Sequence, residues 1–136
     1  MPIKSGNKYR VVNILTNTAM DLSGTDPEHS SIIGWSPHGH ENQQWKFGEV
    51  AENIYTIKNV RYHDKYVGYA EPLQAGTDAV ATGSAIDWEV TEEYETGTYR
   101  IGVPGHTLAL TLQSREDGTP VQLLFEERHV WKLIPV

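Results

Sequence analysis

Six side chains between positions 21 and 43 have the types and the closeness that binding or catalysis needs: Asp21, Trp35, His38, His40, Asn42 and Gln43. A carboxylate accepts hydrogen bonds from hydroxyls, a carboxamide both donates and accepts, and an indole offers a flat apolar face. A neutral sugar, with its many hydroxyls and patches of C–H, asks for that combination. His38 and His40, separated by Gly39, could instead begin a zinc or copper site. Such a site needs a third or fourth ligand, and only Glu41 and His29 stand near in sequence. The expectation is therefore no metal and no cofactor, with the two imidazoles lining a pocket and exchanging hydrogen bonds with hydroxyls. Asp21 and Glu41 can be drawn as a glycosidase dyad, but nothing in their spacing singles them out. No nucleophile elbow, H-E-x-x-H or phosphate-cradling glycine loop is present, and with no cysteine there is no thiol nucleophile. The chain reads as a binder and not an enzyme.

Each residue also has a plainer use. Asp21, in Asp21-Leu22-Ser23-Gly24, could bond its own turn backbone. Trp35 closes an apolar run and could point inward, although Ser36-Pro37 start a loop and favour exposure. Asn42 and Gln43 could satisfy loop backbone groups. Position in the fold decides between these uses.

The elements that hold these residues recur. Trp45, Trp88 and Trp131 follow one another at intervals of 43 residues, each in the pattern W-[KE]-[FVL]. Upstream of each lies an opening phrase: Tyr9-Arg-Val-Val-Asn13, Tyr55-Thr-Ile-Lys-Asn59 and Tyr99-Arg-Ile-Gly-Val103. Two phrases kept in step mark three copies of one motif, at roughly 7–48, 53–91 and 97–134. Within each copy, short runs rich in Val, Ile, Thr and Tyr read as strands. Besides the opening and Trp phrases, these are 18–22, 31–35, 65–69, 79–82, 107–112 and 121–125. Turn formers separate them: SGTDPEHS, SPHGHEN, AEPLQAGTD and QSREDGTP. No stretch carries a helical apolar stripe. Four strands in each copy make twelve, and closing them around a pseudo-threefold axis hides sheet edges and pools the tryptophans in one core.

At Asn42-Gln43-Gln44-Trp45 the sequence resembles the Q-x-W signature of the ricin-B-type β-trefoil lectins. With Ala19-Met20-Asp21-Leu22-Ser23-Gly24 and Ile32-Ile33-Gly34-Trp35, the first copy is similar to the first repeat of small mushroom lectins of that family. The resemblance implies one β-trefoil domain over 1–136. It also implies a carbohydrate site in the first copy drawn from Asp21, Gly34, Trp35, His38, His40, Asn42 and Gln43. Asp21 would accept from sugar hydroxyls, Trp35 would stack on the pyranose, Asn42 would bond a hydroxyl and Gln43 would support the carboxylate. The other copies depart from this pattern. Gly68 and Thr111 stand for the Asp; Ala85-Ile86 and Arg128-His129 stand for Asn-Gln. No aromatic lies near 80–83, and Leu123, Leu124 and Phe125 offer a ring without a polar clamp.

The family implies glycan or glycoprotein partners, galactose or N-acetylgalactosamine being favoured over mannose, a fungal role in defence, and pairing into a homodimer in some members. Two other readings belong to the same fold: a protease inhibitor acting through loops such as 70–78 or 113–120, and a lectin-like subunit of a larger protein. Composition bears on the remaining partners. A net charge of −7, from 18 acidic and 11 scattered basic residues, lacks the clustered positive charge that nucleic acid requires. No long apolar run suggests membrane insertion, and the opening MPIKSGNKYR lacks the apolar stretch of a signal peptide. With no cysteine, a cytoplasmic protein, or one released without a classical signal, is expected.

Overall fold

The computed structural model describes residues 3–24, 28–125 and 129–136. Arg128, which stands for Asn42 in the third copy of the sequence, and part of the SGTDPEHS loop lie outside the described residues. The first copy contributes β1 (Lys8–Asn13), β2 (Ala19–Leu22), β3 (Ile32–Trp35) and β4 (Gln44–Ala51). The second contributes β5 (Ile54–Asn59), β6 (Tyr66–Tyr69), β7 (Thr77–Thr82) and β8 (Trp88–Glu92). The third contributes β9 (Thr98–Gly102), β10 (Ala109–Thr111), β11 (Thr119–Pro120), β12 (Gln122–Leu124) and β13 (Trp131–Pro135). Twelve of these are the strands expected from sequence. The thirteenth, β11, is a two-residue pairing of a third-copy turn with β3, Thr119 opposite Gly34 and Pro120 opposite Ile33. It has no apolar run of its own, so strand periodicity could not show it.

The first and last strands of each copy close into a six-stranded ring, β1-β4-β5-β8-β9-β13 and back to β1, all antiparallel. A closed ring leaves no unpaired edge. The middle strands form three hairpins, β2–β3, β6–β7 and β10–β12, that cap one end of the ring. The hairpins join one another through β3–β11, β7–β12 and an isolated bridge from Ser31 to Val80. This is a β-trefoil. Strict alternation makes such strands one-sided: in β5 Tyr55, Ile57 and Asn59 are buried while the residues between them are less so.

Trp45, Trp88 and Trp131 are fully buried in a single core. Each indole N–H donates to a carbonyl of its own copy's hairpin: Trp45 to Met20 at 3.0 Å, Trp88 to Val67 at 2.9 Å and Trp131 to Leu110 at 3.0 Å. Burying an indole contributes strongly only if its N–H finds such a partner. These bonds fix the three hairpins at equivalent heights over the ring. The residue after each accepting carbonyl is then Asp21, Gly68 or Thr111, the trio matched from sequence. The openings differ more. Asn13 and Asn59 each fold a side chain onto the next turn, Oδ1 accepting from Leu15 and Thr16 and from Arg61 and Tyr62 respectively. Val103, third in the series, has no side chain for that task.

Candidate functional site

The first hairpin and the loop before β4 enclose an open hollow of about 420 Å³, lined by Asp21, Ser23, Gly24, Ser31, Ile33, Trp35, His38, Asn42 and Gly118. Asp21 is held at its floor, only 4% exposed. Asn42 donates its Nδ2–H to Asp21 Oδ1 at 3.0 Å, and Gln43 donates its Nε2–H to Oδ2 at 2.9 Å. Gln43 is fully buried behind the carboxylate. Its Nε2 also donates to the Ser36 carbonyl at 3.1 Å, and its Oε1 accepts from the His38 backbone N–H at 3.0 Å. One carboxamide therefore joins Asp21 to the loop that follows Trp35. A 3-10 turn at Glu41–Gln43, the one helical segment among the described residues, delivers Asn42 and Gln43 side by side.

Burial pushes the Asp21 carboxyl above the ordinary aspartate range. The bond from Gln43, the neighbouring His38 and the bond from Asn42 pull the other way without cancelling that effect. Each carboxylate oxygen already holds one amide donor and keeps lone-pair capacity for a ligand hydroxyl. Trp35, at the end of β3, is 40% exposed and forms a wall of the hollow. It does not point into the core.

The remaining expected residues take different places. His38 lines the hollow, its Nε2 3.6 Å from Asp21 Oδ2. Its Nδ1 accepts the His40 backbone N–H at 3.0 Å. His40 packs its ring against that of His38, centroids 4.6 Å apart, but is not among the lining residues. Among the described residues no group of three His, Asp or Glu is gathered as a metal site. Gly34 is buried beneath the wall. A Cβ there would come within 2.8 Å of Leu112 Cδ1, so a side chain would collide with the third copy. The Asp21, Trp35, His38 and Asn42 side chains meet in one place; Gln43 and Gly34 stand behind it and His40 beside it.

Strand register places the counterparts in the other copies. Trp35 lies opposite Ala19, two residues before Asp21; the matching positions are Thr82 opposite Tyr66 and Leu124 opposite Ala109. In the second copy Gly68 is covered. A Cβ there would meet Thr82 Cγ2 at 2.8 Å and Ile86 Cγ1 at 3.3 Å. In the third copy the Thr111 hydroxyl donates to the Gln122 carbonyl at 3.0 Å, and His129, in the place of Gln43, accepts the Leu112 N–H at 3.2 Å. A hollow of about 450 Å³ beside it is lined by Leu15, Thr16, Leu112, Gln113, Ser114, Arg115 and His129, with no carboxylate among them. A third hollow of about 460 Å³, lined by Ile3, Lys4, Asn7, Tyr9, Tyr99, Leu133 and Pro135, also has no acidic lining residue.

Sequence reasoning missed the third copy's share in the first-copy hollow. Gly118 lines it, and the carboxylate of the preceding Asp117 accepts from Ser36. The phrase Asp117-Gly118-Thr119-Pro120 announces a turn but not which strand the turn will meet.

A family model described as "Ricin-type beta-trefoil lectin domain-like" matches residues 2–71 and 41–124. Among solved structures, a ricin B-like lectin from Macrolepiota procera, in complex with lactose, is 30% identical with a TM-score of 0.90, over 98% of this chain and 99% of that one. The agglutinin of Rhizoctonia solani is 25% identical with a TM-score of 0.84, over the full length of both chains. A designed threefold-symmetric protein, ThreeFoil, matches in fold with a TM-score of 0.82 at 19% identity, over 95% of this chain and 99% of that one. The two matches of highest identity among these are a lectin and an agglutinin.

Proposed function

The chain belongs to the ricin-type β-trefoil lectin domain family, and on that premise we propose that it binds carbohydrate at one site, the hollow of its first copy. One observation carries the reading. A carboxylate with unused acceptor capacity, clamped by two carboxamides, sits at the floor of an open hollow beside an exposed indole, and among the described residues only the first copy has this set. Asp21 accepts from two ring hydroxyls, Asn42 meets a third through its remaining polar capacity, and Trp35 covers the apolar face of the pyranose. Gln43 holds the carboxylate and His38 contributes one further polar contact.

Galactose-type ligands are the proposed class: terminal galactose or N-acetylgalactosamine, including LacNAc-type disaccharides. The lactose complex of the Macrolepiota procera lectin supports this, since lactose ends in galactose. A role in defence against glycan-bearing targets, and pairing of two chains, follow as further parts of the proposal. The loops at 70–78 and 113–120 are less suited to inhibitor or partner roles, because their turns are tied to neighbouring copies. Gly76 N–H donates to the Leu123 carbonyl and Gly118 N–H to the Gly34 carbonyl. A glycan array probed with the purified protein tests the reading. Signal on galactose-terminated glycans is expected; a blank array, or signal confined to mannose, would overturn it.

A further inference from the structure

We infer that Asp117 is a positioning residue for the first-copy hollow, so that the aromatic wall of that site is built by two copies of the motif. The inference rests on the reading of Trp35 as a ligand-stacking face. Trp35 is flanked by two residues that the third copy holds. On one side the Gly34 carbonyl accepts the Gly118 N–H at 2.9 Å. On the other, Asp117 Oδ1 accepts both the Ser36 backbone N–H at 2.8 Å and the Ser36 hydroxyl at 2.9 Å, with Oδ2 at 3.2 Å from that hydroxyl. The same Ser36 offers its carbonyl to Gln43, whose Nε2 also holds Asp21. Asp117, Ser36, Gln43 and Asp21 thus form one line of hydrogen bonds running from the third copy to the floor of the hollow. Trp35, 40% exposed, has less packing around it than a core indole, so its backbone anchors carry much of its placement.

The fold itself does not require the carboxylate. An equivalent turn in the second copy shows this. Gly76 and Gly118 share a positive φ, 92° and 94°, in the left-handed region that glycine adopts without strain. The turns close alike, Thr77 N–H to the Gln74 carbonyl at 3.1 Å and Thr119 N–H to the Glu116 carbonyl at 3.2 Å. Both glycines donate to the neighbouring copy, Gly76 to Leu123 at 2.7 Å and Gly118 to Gly34 at 2.9 Å. Before the glycine, however, stands Ala75 in one turn and Asp117 in the other. The Ala75 turn meets the copy that has Thr111 and Leu124 at the positions of Asp21 and Trp35; the Asp117 turn meets the copy that has the acid and the indole there.

The test compares Asp117→Ala and Asp117→Asn with wild type, because the Asn Oδ1 can still accept both Ser36 donors. The first readout needs no ligand. The Trp35 indole N–H resonance, identified by its loss in Trp35→Phe, should shift or broaden in Asp117→Ala and return toward wild type in Asp117→Asn. The second is lactose affinity by calorimetry, expected to weaken by about 3- to 10-fold in Asp117→Ala, the loss of one or two hydrogen bonds' worth of placement. The melting temperature should stay within about 2 °C, as for other exposed polar positions. In a Trp35→Ala background, Asp117→Ala should cost lactose affinity nothing further. An unmoved indole resonance, or an undiminished cost without Trp35, overturns the inference. A resonance that moves while wild type fails to bind lactose or any arrayed glycan sinks the sugar reading and leaves the positioning role standing.

Discussion

The first and second hairpins share a backbone and a buried tryptophan, yet one is open and the other filled. Under the Trp45 bond to Met20, the next residue is Asp21, with Asn42 and Gln43 reaching to it. Under the Trp88 bond to Val67, the next residue is Gly68, and Thr82 and Ile86 occupy the space a side chain would need. What the copies keep is the part that folds; what differs is the part that meets solvent. A repeat held together by its core can lose a pocket and still stand, because closing the pocket with Thr and Ile replaces polar burial by apolar packing.

That division can be broken at the core, where the largest effect is expected. Trp88→Ala should cost ~3–5 kcal/mol of stability, as for other buried aromatics, although Trp88 belongs to a copy with Gly68 in the place of Asp21. A melting temperature within a degree or two of wild type would remove Trp88 from the core and the three-copy architecture with it.

Asp21→Ala should act oppositely. Loss of hydrogen bonds to a charged acceptor costs ~1.5–3 kcal/mol, which would erase a weak glycan affinity. Stability should change little, since Asn42 retains the Leu22 carbonyl, Gln43 retains the Ser36 carbonyl, and a buried charge is removed. Thr111→Ala should leave binding untouched. The same carboxylate sets a pH dependence. Its pKa is raised in the fold, so glycan affinity should fall with acidification sooner than an ordinary aspartate would titrate. Its contribution to stability has the reverse sign: the folded state binds the proton more tightly, so that contribution is complete below the unfolded pKa and is lost as pH rises through the folded one. Affinity that stays flat down to the ordinary aspartate range would contradict this account of Asp21.

Gly68→Asp asks whether the acid alone makes a site. The new Cβ would crowd Thr82 Cγ2 at 2.8 Å, and overpacking of this kind costs ~1–3 kcal/mol. Destabilisation with no second binding event is expected in thermal melts and calorimetry; a gain of binding would show the filled copy to be a latent site. The smallest effect belongs to the histidines. His38→Ala with His40→Ala should trim affinity by ~0.5–1.5 kcal/mol, the worth of a neutral hydrogen bond, and titrations after EDTA dialysis should match untreated protein. Binding that vanished with EDTA and returned with one added ion would make that loop a metal site.

Much of this was legible in sequence because it is periodic or local. The tryptophan interval and the opening phrases carry the trefoil, and Asp21, Trp35, Asn42 and Gln43 lie within one copy. The matches of Gly68 and Thr111 to Asp21 are the ones the tryptophan bonds enforce. Contacts between copies were not legible. The strand Thr119–Pro120, Gly118 in the hollow and the Asp117 bond to Ser36 all join residues some eighty positions apart, where neither alternation nor turn chemistry names a partner. Nor does spacing separate a residue that faces a hollow from one beside it: His38 and His40 look alike in sequence, and only His38 lines the wall.

Binding stoichiometry decides whether one copy of three carries the site. Calorimetric titration of the protein with lactose, or with the strongest galactose-terminated glycan from an array, should give close to one ligand per chain, and Asp21→Ala should abolish the signal. Two or three ligands per chain, or one ligand still bound after Asp21→Ala, would place binding in another copy and contradict the account.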